Sequence, residues 1–260
     1  MHISVLLKES IDSLQIKEDG VYVDCTLGYA GHSSEILKRI KRGHLFAFDQ
    51  DQEAINASSK KLSAISDRFT IIKSNFVNLK EKLQEQNITE VDGILFDLGV
   101  SSPQLDEEER GFSYHHDAIF VMCLDHSSFF SAYDVVNTYE EKELARIIFQ
   151  YGEEKYGNSI ARNIVKARSE KPIENTFELV EIIKKSMPEK AKRDKHPARK
   201  TFQAIRIEVN HELEILESSI RDAASLLKVG GILSVITFHS LEDRIVKNVF
   251  RELTNIDDMV

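Results

Sequence analysis

Apolar positions in the first hundred residues follow two rhythms. Short unbroken runs at Val21–Asp24, Leu45–Phe48, Phe69–Ile72 and Ile94–Phe96 each predict a strand buried on both faces. Between them, Ser34–Ile40, the stretch from Asp51 to Leu62, and Leu79–Leu83 read as helices. Strands alternating with helices of this length predict βαβ units and a parallel sheet. The rhythm changes after residue 105. From there to residue 200 the helical patterns are Ala132–Asn137, Glu141–Gln150, Ser159–Arg168 and Phe177–Ser186, and strand character returns at Ile232–Phe238, after Gly230 and Gly231. Just before that strand, Phe202, Ile205, Val209, Leu213, Leu216, Ile220, Ala224 and Leu227 recur at spacings of 3, 4, 4, 3, 4, 4 and 3. This predicts one long helix that lays a single apolar stripe on the sheet. The expected architecture is a doubly wound α/β domain, residues 1–104 and 201–260, interrupted by a helical insertion at 105–200.

Composition narrows the class. Apolar residues make up 42% and charged residues 30%, as in soluble globular proteins. No apolar run approaches the roughly 20 residues of a membrane span, and the first residues lack the features of a signal peptide. Cys25 and Cys123 are too few for a disulfide framework, so a reduced cytoplasmic setting is expected. The net charge of −9 weighs against nucleic acid as a partner. That average hides a local exception. Lys184, Lys185, Lys190, Lys192, Arg193, Lys195, Arg199 and Lys200 stand against Glu189 and Asp194, a segment of +6. It reads equally as a solvated face or as a loop that meets a phosphate backbone.

In an open α/β sheet, ligands bind beyond the carboxyl ends of the strands. Three features fall there. The stretch Asp24–His32 feeds a strand through Gly28 and Gly31 into a helix, giving close backbone approach and unpaired helix N–H groups. Asp49 ends the second strand, 21 residues after Gly28, where a carboxylate can accept from both ribose hydroxyls of an adenosine. Asp97–Gln104 is a polar turn leaving the fourth strand. The first turn lacks G-x-G-x-x-G spacing, so S-adenosylmethionine fits better than a dinucleotide. At the last strand, Ser240 and Asp243 read as a capping box, with His239 at the ligand edge. The histidines and cysteines show no ligand-like spacing, so no metal is expected.

Several of these stretches resemble one family. Asp24–Ser33 (DCTLGYAGHS), Asp97–Asp106 (DLGVSSPQLD), Glu109–Ser113 (ERGFS), Tyr151–Glu154 (YGEE), Phe202–Ile207 (FQAIRI) and Phe238–Arg244 (FHSLEDR) are similar, in order, to motifs of the bacterial RsmH (MraW) methyltransferases. The resemblance implies a Rossmann-like class I methyltransferase sheet, with the helical insertion helping to recognise RNA. It also implies methylation of the exocyclic amino nitrogen of a decoding-centre cytidine in 16S ribosomal RNA. The S-adenosylmethionine site would comprise Ala30, Gly31, His32, Asp49, Phe76, Asp97 and Gln104, with Phe76 flanking the adenine. Asp97 or Asp125 would take the catalytic role, accepting an amine proton. The expected partner is small-subunit ribosomal RNA or the assembled subunit, with no membrane. Two departures stand out. Ile119–Asp125 reads IFVMCLD where the family usually has Pro-Leu-Asp-Met-Arg-Met-Asp, and the family continues past the position of Val260. These support an alternative, a cofactor- or RNA-binding homologue with reduced or lost catalysis; a small-molecule methyltransferase is a further alternative.

Overall fold

The structure, a computed structural model, describes residues 4–98, 130–192 and 196–255. The chain folds as two compact units, Met1–Gly99 with Leu213–Val260, and Val100–Glu212. Among the described residues no helix is long and apolar enough to cross a membrane.

The first unit is built on five strands, β1 (Val21–Asp24), β2 (His44–Asp49), β3 (Phe69–Lys73), β4 (Val91–Asp97) and β5 (Leu227–Ile236). All four pairings are parallel, in the order β3-β2-β1-β4-β5. The chain winds outward from β1 in one direction and then returns to its other side through β4, which creates the switch point where such sheets bind ligands. The helices α1 (Leu7–Ser13), α2 (Gly31–Arg39), α3 (Gln52–Ser63) and α4 (Leu79–Glu85) belong to this unit.

The alternation of side chains along each strand explains both faces. Tyr22, Leu45, Ala47 and Leu95 join Ile11, Leu14, Ile36, Leu37 and Leu62 in one buried cluster. Val23, Phe46, Phe48, Ile94 and Phe96 point the other way, toward Leu79, Leu83, Leu216, Ile220, Val246 and Val249. Gly93 is required by this packing, because a Cβ there would lie 2.9 Å from the Tyr22 ring. Strand β5 begins at Leu227, earlier than the pattern predicts. Val91 pairs with Leu227 and Gly93 with Ile232, so β5 bulges between them. Gly230, at φ +79°, absorbs the extra residues, and this is why the apolar rhythm restarts only after the glycine pair.

The second unit contains α5 (Ala132–Thr138), α6 (Glu141–Gln150), α7 (Gly157–Glu170), α8 (Thr176–Lys185) and α9 (Arg199–Asn210). Their apolar stripes bury a core that includes Val135, Leu144, Ile147, Ile160, Ile164, Leu179 and Ile183. The cap residues are local: Ser131 and Asp134 close a capping box on α5, and Asn175 accepts from the Glu178 N–H at the start of α8.

The single long helix expected across 202–227 is corrected. The chain forms α9 and then α10 (Glu212–Ser225), broken at His211, which takes the left-handed conformation at φ 49°. The two halves of the stripe serve different cores. Phe202, Ile205 and Val209 are buried in the helical unit, whereas Leu216 and Ile220 are buried against the sheet. A continuous helical period cannot reveal this, since one left-handed residue reorients the axis while leaving the spacing intact. The last helix, α11, spans Ser240–Asn255.

Candidate cofactor site at the carboxyl edge of the sheet

The turn after β1 is fixed by its own polar groups. Asp24 is buried and receives the Ser33 hydroxyl at 2.6 Å and the Thr26 N–H at 3.0 Å. Burial pushes the Asp24 carboxyl up, opposed by the Ser33 bond, the neighbouring His32 and the Thr26 bonds. The Thr26 hydroxyl in turn accepts the Asp97 N–H at 2.7 Å. The ends of β1 and β4 are thereby tied together through one threonine. Burial also raises the Cys25 thiol well above its ordinary value, which removes it as a nucleophile.

The loop then turns with Gly28 at φ +48° and Ala30 at φ +56°. A Cβ at Gly28 would meet nothing within 4 Å, so that glycine is needed for its backbone conformation. Gly31 is different, because a Cβ there would collide with the Ser4 side chain. Helix α2 opens at Gly31 with no side-chain cap on its first turn, which leaves that end suited to a polar ligand.

Asp49, at the end of β2, braces the same turn. Its Oδ2 accepts the Gly28 N–H at 2.8 Å and its Oδ1 accepts the Asp51 N–H at 2.8 Å. The carboxylate, with four lone pairs in all, keeps acceptor capacity for a ligand hydroxyl. Burial raises the Asp49 carboxyl, with the Asp51 and Gly28 N–H groups pulling the other way. Asp51 caps α3 through the Glu53 N–H at 2.9 Å, and the Ser58 hydroxyl donates to the Gly28 carbonyl at 2.6 Å. The turn is therefore held from both sides before any ligand arrives.

Of the residues predicted for the site, the structure gathers Ala30, Gly31, His32, Asp49, Phe76 and Asp97 along this one sheet edge. His32 is buried, with Nδ1 3.5 Å from Asp97 Oδ2 and Nε2 3.1 Å from the Val5 carbonyl. Phe76 follows β3 in a short 3-10 turn and meets Phe96 edge-on, centroids 5.4 Å apart. Gln104 and Asp125 lie outside the described residues, as do the variant stretch 119–125 and Arg193, Asp194 and Lys195 of the basic segment.

Sequence reasoning missed two groups. One is the Asp24–Thr26–Ser33 network; the available signal was an acid ending a strand with threonine two residues later, an Asx-type turn. The other is the Glu242 anchor in the turn after β5, a turn in which only a Ser240–Asp243 capping box and His239 are expected from the sequence. There the cap lies one residue earlier than expected. Helix α11 starts at Ser240, the His239 Nδ1 lies 3.4 Å from the Glu242 N–H, and the buried Glu242 carboxylate accepts the Phe238 N–H at 2.8 Å. Phe238 itself is 48% exposed.

The remaining motifs hold the helical unit together. The Lys200 ammonium donates to the Glu153 carbonyl at 2.7 Å, and the Gln203 amide donates to the Tyr151 carbonyl at 2.9 Å. A Cβ on Gly152 would stand 2.5 Å from the Lys200 carbonyl oxygen, so YGEE fits closely against the first turn of α9. Arg206 forms a two-pronged ion pair with Glu212 at 2.9 and 3.1 Å. Within the basic segment, Lys184 is paired with Glu181, while Lys185, Lys190, Arg199 and Lys200 are exposed.

Comparison with known proteins identifies a family. The model of the MraW methylase family matches residues 1–259. The "Ribosomal RNA small subunit methyltransferase H" of Exiguobacterium sibiricum is 57% identical over 259 residues, covering 99% of this chain and 83% of the relative. That of Mesoplasma florum is 56% identical over 255 residues, covering 97% and 82%. Among solved structures, an rRNA methylase from Streptococcus thermophilus is 20% identical, with a TM-score of 0.32, covering 45% of this chain and 71% of that one.

Proposed function

The chain belongs to the MraW methylase family, and from that premise we propose that it methylates the exocyclic amino nitrogen of a decoding-centre cytidine in 16S ribosomal RNA, using S-adenosylmethionine. The observation that carries the reading is the braced turn at the sheet edge. Asp49 holds the Gly28 N–H and still has lone pairs free, and the first turn of α2 has no side-chain cap.

S-adenosylmethionine supplies an electrophilic methyl group on a sulfonium. Asp49 would accept from its ribose hydroxyls, the backbone of Ala30, Gly31 and His32 would hold the polar end, and Phe76 would flank the adenine. Gln104 completes the set. Displacement at a methyl carbon is in-line, so the chief task of these residues is alignment. A cytosine amine is a weak nucleophile because its lone pair is delocalised into the ring. Asp97 or Asp125 accepts an amine proton as the nitrogen pyramidalises. The base must leave its stack to reach this edge, which suits a loop or a remodelled strand of RNA.

The exposed cations of the 184–200 segment support an RNA substrate. Neither the described residues nor the comparisons support a homologue without catalysis. The test is transfer of labelled methyl to small subunits from a strain lacking the modification, with the product nucleoside identified after digestion. N4-methylcytidine is expected, in a yield that falls as salt rises. Asp49→Ala is expected to lower S-adenosylmethionine affinity by about 100-fold, since it removes about two hydrogen bonds of 1.5 kcal/mol each to a charged acceptor. Unchanged calorimetric affinity in that variant overturns the site.

A further inference from the structure

The geometry points to Phe238 as a stacking platform for the base that is methylated, a role that rests on the function proposed above. Phe238 follows β5, the strand beside β4. Asp97 pairs in register with Ile236, and the Leu98 N–H donates to the Ile236 carbonyl at 3.1 Å. Phe238 therefore lies two residues past Ile236, the end of β5 and the partner of Asp97.

Along the sheet edge the order is Asp49 on β2, the Gly28 turn on β1, Asp97 on β4 and Phe238 beyond β5. Adjacent strands lie about 4.8 Å apart. If the ribose is held at Asp49 and the polar end at the Gly28–Gly31 turn, as proposed above, the acceptor would enter from the β4–β5 side of this edge. That is where the exposed ring is found.

Exposure alone would not make Phe238 a site, since single apolar side chains on a surface are ordinary. Its backbone is what sets it apart. The Phe238 N–H is held at 2.8 Å by Glu242, whose side chain is buried, and the same residue's N–H faces His239 Nδ1. A buried carboxylate thus fixes the stem of an exposed aromatic residue, and no ring contact to Phe238 occurs among the described residues. An exposed aromatic face on an anchored backbone is the chemistry that receives an unstacked nucleobase. A pyrimidine ring lying on it would be restrained in plane, with its amino edge left uncovered.

The chain contains no tryptophan, so Phe238→Trp installs its one tryptophan at the platform, excited selectively over the tyrosines. Two measurements are made on the full chain: quenching of F238W emission by a cytidine-containing RNA oligonucleotide, and methyl transfer to unmodified small subunits by F238W, F238Y, F238L and F238A. The expected result is quenching by RNA, with most of the transfer retained in F238W and F238Y. F238L and F238A are expected to lose roughly ten- to hundred-fold in kcat/KM for the subunit, with S-adenosylmethionine affinity within about twofold of the parent. Full transfer by F238L, or unquenched F238W emission, overturns the platform while leaving the proposed reaction standing. Quenching by RNA in a chain that transfers no methyl overturns the reaction and leaves the platform. Quenching and transfer both absent overturn the two together.

Discussion

The two units use their conspicuous motifs in opposite ways. At the sheet edge, the motif Asp24–Ser33 spends its polar groups on shaping a turn that stays open to a ligand: Asp24 binds Ser33 and Thr26, and Asp49 binds Gly28. In the helical unit, Gln203 of FQAIRI reaches the Tyr151 carbonyl of YGEE, and Lys200, just before that motif, reaches the Glu153 carbonyl. Both kinds of motif look alike in a sequence. The difference lies in where the partners are. A motif satisfied by a neighbouring segment holds the unit together, whereas one braced from behind and left uncapped in front keeps backbone groups available, which is the basis of the site proposed above.

This contrast predicts separable failures. The largest effect is expected from Phe202→Ala, which empties a buried position in the helical core and should cost about 3–5 kcal/mol. Hydrogen exchange should accelerate across α5–α9 while S-adenosylmethionine affinity stays within about twofold. A large loss of cofactor affinity in that variant would show that the two units do not divide the work in this way.

The pH dependence of cofactor binding is the next in size. Burial raises the Asp49 carboxyl above the ordinary aspartate value of 3.8. Binding uses the ionised form, so affinity should decline as pH falls through this raised value, by about tenfold per pH unit below it. Calorimetry from neutral to mildly acidic pH measures this, and Asp49→Asn should bind weakly with a flat profile. For stability the sign is reversed. Between 3.8 and its raised folded value Asp49 holds more protons folded than unfolded, so its contribution to stability diminishes as pH rises through that window.

The smallest effect concerns the joint. His211 occupies the left-handed region between α9 and α10, so His211→Gly relieves local strain at the expense of a more flexible unfolded chain. Thermal unfolding should shift by less than about 1 kcal/mol. A strong destabilisation would mean that the His211 side chain, and not its backbone, makes the break.

Much of this could be read from the chain. The four early strands, the helices from Ala132 to Lys185 and the place of Asp49 at a strand end all follow from local periodicity and strand-end chemistry. Burial on both faces leaves an unmistakable apolar run, and a helical stripe recurs with a fixed period. The Phe202–Leu227 stripe shows where such reasoning stops. Spacing records which side of a helix is apolar, not which core receives it, and a single residue at φ 49° redirects half the stripe.

The sequence by itself determined the class of fold, the glycine turn with its acid 21 residues later, and the family resemblance, because these depend on residues close along the chain or on motifs kept in order. Only the tertiary structure decided that Thr26 ties β1 to Asp97, that Asp49 braces Gly28, and that Glu242 steadies an exposed Phe238. The long-range contacts among these join strands that the chain visits at well-separated times. A hydrogen bond is specified by position in space, and only the packed sheet brings those positions together.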